Sequence, residues 1–477
     1  MEKDRIDDSS FVVITGPPQK DKSKRISHVR SVIRKSQLRR DGQVQARPAA
    51  RNKSQAVHVN GLGSPSRELT RNMDLSWLTV SETVSKRLRY FFHQYIESSA
   101  YLHPFFCAMI PVTVLHPPLM STKLVNATAW DDLNGPNPQI SALTLFQRDI
   151  AENMLLDSIA EATGPNADSA DSDVTLISLL SLLSFEIING DEVGYLRHKR
   201  NIHRLIDMRG GVDTIDVNLK ISILVIYQLE PVIRGFADPV SSSLDYTIEN
   251  KTLLMSQPTD FKLMTFERGQ TQFWEGRIGL STIRLVSDFF QLVMLSLQYQ
   301  QLLDYRQTHN DDMQRRLQIR IQWHFLRDNL LALNSIPFHV ETNPPIDQIL
   351  LYAISLFVSP SFTVSRPVIE EYITKLQSLL QKSNVLRLYH GPLPGALIWC
   401  LIIGARKSDE ISSRKPGDPT SVSSTRKWFF MQLMRITCPA ALDEPLDVSK
   451  NIGMILAGMD GVDCLATEPY HVGMITG

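Results

Sequence analysis

Along most of this chain, apolar positions recur three and four residues apart, the spacing of one face of an α-helix. Val84, Leu88, Phe91 and Tyr95 follow it, with Ser81 placed as an N-cap. Leu143, Phe146, Ile150 and Met154 repeat it behind Ser141. The run from Val174 to Ile188 is apolar nearly all round and predicts a central, buried helix, with Asp173 as its expected cap. Asn189-Gly190-Asp191 breaks that run. The helix that follows turns Leu196, Ile202, Leu205 and Ile206 inward and Arg197, Lys199, Arg200 and Arg204 outward. Arg209-Gly210-Gly211 ends it, with glycine where a left-handed C-cap is needed.

Further helices are predicted over 218–230, stopped at Pro231, and over 280–303, 313–333 and 346–357. Others are predicted over 367–380, with proline in the first turn, and over 395–405, 425–434 and 448–457. The expected loops are 161–172, 237–260, 307–312 and 407–424. Beyond Phe11–Thr15 no run alternates convincingly as a strand, and no fixed-period repeat is visible. The expected fold class is all-α.

Residues 1–70 break this pattern. The short apolar run Phe11–Thr15 stops at Gly16-Pro17-Pro18. From Lys20 to Lys53 there are 12 basic residues against Asp21 and Asp41, a local net charge of +10. Too few apolar groups are present to offset the entropy of ordering, so the segment reads as a mostly disordered basic arm. Ile26, Val29 and Ile33 would let part of it form a short amphipathic helix on a partner. Two domains follow: the arm, 1–70, and a large multi-helix domain, 71–477.

Composition narrows the function. Hydrophobic residues make up 43% of the chain, enough for a sizeable core. The formal net charge is zero, so any nucleic-acid affinity must be local. Cys107, Cys400, Cys438 and Cys464 contain no C-x-x-C pair, which argues against a disulfide framework or structural zinc site. They read as small buried hydrophobes. No apolar signal core opens the chain, and no apolar run reaches the 18 or so residues of a bilayer span, so no membrane association is expected.

Catalytic patterns are absent. There is no phosphate-binding loop, dinucleotide fingerprint, H-E-x-x-H pair or G-x-S-x-G elbow. His198 and His203 stand five apart, a poor metal spacing, and read as ordinary helix histidines. His103 and Cys107 have the spacing of a catalytic pair, but Pro104, Phe105 and Phe106 suit a packed helix start. Arg209-Gly210-Gly211 is open to two readings, an anion-binding turn or a helix stop. Trp274, Trp323, Trp399 and Trp428 read as core anchors. No catalytic residue, metal site or cofactor is expected.

The basic arm is the feature that asks for a partner. Lys20, Lys22, Lys24, Arg25, Arg30, Arg34, Lys35, Arg39 and Arg40 are its candidate site residues. Nuclear import, weak non-specific contact with DNA phosphates, and a plain solvated tail all fit. The absence of aromatics between Lys20 and Lys53 argues against stacking on single-stranded bases.

Several stretches taken together resemble a known family. They are Phe11–Thr15 with Ser27-His28-Val29-Arg30-Ser31 and Arg39-Arg40; Tyr90-Phe91-Phe92-His93-Gln94-Tyr95 with His103-Pro104-Phe105; Leu176 to Gly211; and Pro392–Trp399 with Gly404-Ala405. Their order and spacing are similar to proteins carrying the fungal-specific transcription factor domain. The resemblance implies an all-α regulatory domain, nuclear location, control of transcription and other transcription-regulatory proteins as partners. It often also implies a six-cysteine zinc cluster near the N-terminus. Here no cysteine precedes Cys107, so no DNA-contacting zinc residues carry over. The expected function is thus a regulator-like protein acting through its helical body without a zinc cluster. The alternative is a cytoplasmic helical scaffold or small-molecule-binding protein derived from such regulators. The oligomeric state stays open.

Overall fold

The computed structural model describes residues 112–113, 115–135, 137–162, 169–232, 280–304, 310–335, 345–359, 365–389, 393–412, 423–443 and 445–467. The basic arm, the Phe11–Thr15 run, the helix predicted over Val84–Tyr95, the 237–260 loop and Trp274 lie outside them. So does the boundary expected near residue 70. Among the described residues all regular structure is helical and there is no strand, in line with the all-α expectation.

The helices are α1 (Pro117–Asn134), α2 (Ala142–Ala162), α3 (Ser169–Asn189), α4 (Glu192–Met208) and α5 (Val217–Gln228). Then come α6 (Leu280–Asp304), α7 (Asn310–Ser335), α8 (Pro345–Phe357), α9 (Arg366–Ser383) and the short α10 (Val385–Tyr389). The last are α11 (Pro394–Ser412), α12 (Ser424–Asp443) and α13 (Pro445–Thr467). Sequential neighbours pack together in α1–α2–α3–α4 and in α6–α7. Long-range packing closes the body: α6 lies on α13, and α12 touches α1, α3, α5, α11 and α13. One continuous apolar cluster runs through all of these helices. Trp323, Trp399 and Trp428 anchor it, with Trp399 edge-on to Phe289 at 5.0 Å and Phe289 edge-on to Phe357 at 5.1 Å.

Caps explain where several helices start. Ser141 Oγ accepts from Thr144 N at 3.3 Å, as its position ahead of α2 suggested, while Asp132 takes Ser141 N and the Thr144 hydroxyl at 2.7 and 2.6 Å. Asp191 accepts from Gly194 N at 3.0 Å, and Asp216 from Asn218 N at 2.9 Å. Gly210 and Gly211 hold φ of +93° and +107°, the left-handed conformation that ends α4. Pro367 sits in the first turn of α9.

The sequence reading departs from the structure at several places. No helix is predicted over 117–134, where α1 lies. Thr122, Thr128 and Asp132 are buried there together with Leu119, Met120, Leu124, Val125, Ala129 and Leu133, so polar residues on the inward side break the apolar spacing. Asp173 does not cap the central helix, which begins at Ser169; it pairs with Arg209 from inside the first turns. Lys199 does not face outward but is buried. Pro231 lies in a 3-10 turn, Glu230–Val232, after α5 has ended. Ser178, Ser181 and Ser184 interrupt the apolar run of α3 at little cost, because each hydroxyl donates to the carbonyl four residues back at 2.8–2.9 Å.

The C-terminal helices are longer than their patterns. Of the loop expected over 407–424, residues 407–412 are helical, since Lys407, Asp409 and Glu410 are buried or nearly so and held in ion pairs. Residues 310–312 and 161–162 with 169–172, also expected in loops, are helical in α7, α2 and α3. α12 continues through Pro439 to Asp443, because the turns beyond Met434 carry Ile436, Ala440 and Ala441 into the core. Two glycines allow very close packing. A Cβ at Gly461 of α13 would lie 2.4 Å from the Ser296 carbonyl oxygen of α6, and one at Gly404 of α11 would lie 2.3 Å from the Phe429 ring of α12.

Candidate functional site

Ionisable side chains are costly inside an apolar body unless each finds a partner. Two groups of them meet on α3. Glu186 stands in the apolar run of α3 and is fully buried. Arg148 of α2 reaches it with Nε at 2.8 Å and gives Nη2 to Asp191 at 2.9 Å, so one guanidinium ties α2 to the end of α3 and the start of α4. Glu152, one turn along α2, accepts from Arg197 of α4 at 2.7 Å. Burial draws the Arg148 pKa down, but Glu186, Glu152 and Asp149 outweigh it, and the net shift is upward. A Cβ on Gly194 would lie 2.8 Å from the Glu186 carboxyl carbon, so glycine leaves room for the cluster.

The second group joins α11 and α12 to the end of α3. Arg426 of α12 is 1% exposed and donates to Asp409 of α11 at 2.6 Å. Its Nη1 also reaches the carbonyls of Ile187 and Ile188 at 3.0 and 3.2 Å, which places a cation on the negative end of the α3 dipole. The same guanidinium lies 4.3 Å over the Phe430 ring. Lys427 donates to Asn189 at 3.0 Å. Burial lowers the Arg426 pKa, partly offset by Asp409; burial and then Arg426 pull Lys427 down to about 8. Elsewhere Lys199 bonds both oxygens of Glu230 at 3.0 and 2.9 Å, beside the Tyr195 and Tyr227 rings.

These groups lock helices together. His198 Nε2 stands 3.6 Å from Glu186, a contact that would suit a general base, but the same carboxylate oxygen is held by Arg148. His203 instead stacks on Tyr227 at 5.6 Å. Among the described residues no three His, Cys, Asp or Glu side chains gather in a way that could hold a metal ion, and no helix is long and apolar enough to cross a membrane. Cys400 is buried and Cys438 and Cys464 are partly so, none of the three in a disulfide; burial pushes the first two up to about 12.

The two readings of Arg209-Gly210-Gly211 separate here. Its amides donate to Leu205, Asp207 and Ile206 carbonyls of α4 at 3.0–3.2 Å, so the turn is a helix stop and its donors are not offered to an anion. Lys20, Lys22, Lys24, Arg25, Arg30, Arg34, Lys35, Arg39 and Arg40 lie outside the described residues, as do His103 and Cys107. The roles of Arg148, Asp191, Asp409, Arg426 and Lys427 were not read from the sequence. Two local signals pointed that way: a glutamate inside the apolar run at 186, and a basic pair directly ahead of Trp428-Phe429-Phe430.

The model of the fungal specific transcription factor domain matches residues 132–436. The span runs from the last turn of α1 to α12 and contains both charge clusters. It includes the resembling stretches at Leu176–Gly211 and Pro392–Ala405, while those at Phe11–Arg40 and Tyr90–Phe105 fall before it. No curated protein and no solved structure matches the chain. With well over half of its length covered by this one domain, the chain belongs to the fungal specific transcription factor domain family.

Proposed function

We propose that the chain is a nuclear, non-catalytic regulator of transcription that acts through its helical body as an interaction or effector-sensing module, rather than through a zinc cluster of its own. The match over residues 132–436 carries this reading. The wide separation of the four cysteines supports the second half of it, since a zinc cluster needs closely spaced thiolates. The ion pairs that join α2, α3, α4, α11 and α12 support a body stiff enough to hold a recognition surface. The basic residues Lys20 to Arg40 supply import or weak phosphate contact, and the partners are other transcription-regulatory proteins.

Genome-wide occupancy of the tagged protein, with imaging of the chain with and without residues 20–53, tests nucleus and chromatin together. The expected result is nuclear signal and chromatin association that depend on the basic stretch. Any arm-dependent DNA binding falls steeply with added salt and shows little sequence preference. Cytoplasmic signal in both forms would overturn the proposal in favour of a cytoplasmic scaffold. A salt-insensitive, site-specific footprint would overturn the absence of a DNA-reading element.

A further inference from the structure

Two buried polar side chains face each other with bonds unmade. His198 of α4 is 2% exposed, and neither of its ring nitrogens has a hydrogen-bond partner among the described residues. Glu186 of α3 is fully buried, and its Oε2 has no partner among them either. His198 Nε2 stands 3.6 Å from Glu186 Oε1, just beyond hydrogen-bond reach. Gly194, one turn ahead of His198 on α4, lets the carboxylate lie against the helix, where a Cβ would come within 2.8 Å of its carboxyl carbon. Buried polar atoms left unpaired are costly and uncommon in native interiors, so an orphaned carboxylate oxygen beside an orphaned imidazole needs a physical reason.

The surrounding charges supply one. Arg148, Asp149 and Glu152 come from α2, and Asp191 and Arg197 from the start of α4 and its second turn. With Glu186, four carboxylates share two guanidiniums, so the cluster is short of positive charge. Glu186 also stands in the last turn of α3, where the helix dipole favours a cation. The other cations nearby are engaged. Arg426 of α12 bonds Asp409 and the Ile187 and Ile188 carbonyls, and Lys427 bonds Asn189. Lys199, next to His198 in the chain, turns to Glu230 beyond α5, and on the 3-10 turn Val212–Thr214 Asp213 takes Lys220. From α5 Tyr227 stacks on His203. A neutral His198 ring leaves the carboxylate unsatisfied. A protonated ring donates to it once Nε2 has moved by about 0.7 Å.

We propose that His198 is a built-in proton sensor: protonation of its ring completes the Arg148–Glu186 cluster and clamps α4 to α3, so this junction of the body tightens as the pH falls. By linkage, a folded chain that binds this proton more tightly than the unfolded chain has the full gain in stability below the ordinary histidine range of about 6.5. The gain is lost as the pH rises through the titration of the folded ring.

The test uses the full chain with isotope-labelled histidine, titrated by NMR, the His198 signal being assigned by its loss in His198→Gln. The folded His198 ring is expected to hold its proton about tenfold more tightly than the histidines of the denaturant-unfolded chain. Chemical denaturation at about pH 5.5 and about pH 8 reads the consequence: relative to His198→Gln, the parent's folding equilibrium constant falls by most of that factor across the interval. Glu186→Gln abolishes the extra proton affinity. Glu152→Gln, at the edge of the cluster, lowers it by about twofold and keeps this arm of the test should the first variant not fold. A ring that holds its proton no more tightly than the unfolded histidines would overturn the proposal. So would a parent whose pH dependence matches that of His198→Gln, or a ring titration unchanged in whichever acid-to-amide variants fold.

Discussion

Arg426 offers the sharpest test of what holds this body together. Replacing it with methionine keeps most of the side-chain volume and removes three hydrogen bonds: to Asp409 at 2.6 Å, to Ile187 at 3.0 Å and to Ile188 at 3.2 Å. Asp409, 5% exposed, is then left in the interior without its guanidinium partner, and the α3 carbonyls lose their donor. Breaking one side of a buried ion pair costs about 3–5 kcal/mol. Against a typical total of about 5–15 kcal/mol, that is a large share of the stability. Asp409→Leu alone strands the arginine and carries a penalty of the same order. The double variant leaves neither charge unpaired, so it recovers much of the loss. A coupling of about 2 kcal/mol or more is expected from the cycle. Guanidinium denaturation followed by far-UV circular dichroism measures it. A loss below about 1 kcal/mol for Arg426→Met, or strictly additive losses in the double variant, would refute the reasoning.

Four further outcomes follow from the structure. Gly461→Ala presses a Cβ to 2.4 Å from the Ser296 carbonyl oxygen, so α13 must move off α6; a loss of about 1–3 kcal/mol is expected in chemical denaturation. Gly210→Ala meets nothing closer than 3.8 Å, and its cost of about 1–2 kcal/mol comes from the φ of +93° alone. Lys427 has its pKa pulled by burial, and then by Arg426, from 10.5 to about 8. Below about pH 8 both states are protonated and the fold bears the full penalty of the buried charge; between 8 and 10.5 the unfolded chain holds a proton the fold has lost, so stability rises. Lys427→Met should therefore be most favourable relative to the parent below pH 8, with the gap shrinking by on the order of 2–3 kcal/mol by pH 10.5, and a pH-independent gap would count against it. Cys400, buried and pushed up to about 12, should resist alkylation in the folded chain and react on unfolding, as read by mass spectrometry.

Much of this architecture is written locally. Amphipathic periodicity located α2, α4, α6, α7 and α9, because each has one face that stays in water. Ser141, the glycines at 210 and 211, and Pro367 marked termini whose chemistry depends on a few neighbouring residues. The absence of catalytic patterns, and the order of the Leu176–Gly211 and Pro392–Ala405 stretches, already pointed to the family whose model covers 132–436.

What periodicity could not reach is governed by contacts far apart in the chain. α1 buries Ser121, Thr122, Thr128 and Asp132 along with its apolar residues, so its inward side shows no clean apolar period. The ends of α11 and α12 run past their local stop signals because Asp409 meets Arg426, and Ile436 and Ala440 find the core. Lys199 turned inward because Glu230, 31 residues on, waits there. Which charges are buried as pairs, and which apolar positions of α7 stay in water, are decided by tertiary packing: the same heptad of letters reads alike whether its second face is covered or bare. The sequence by itself determined helical class, most helix positions and family; only the folded body decided the Arg148 and Arg426 locks, because those depend on partners brought together from up to 239 residues away.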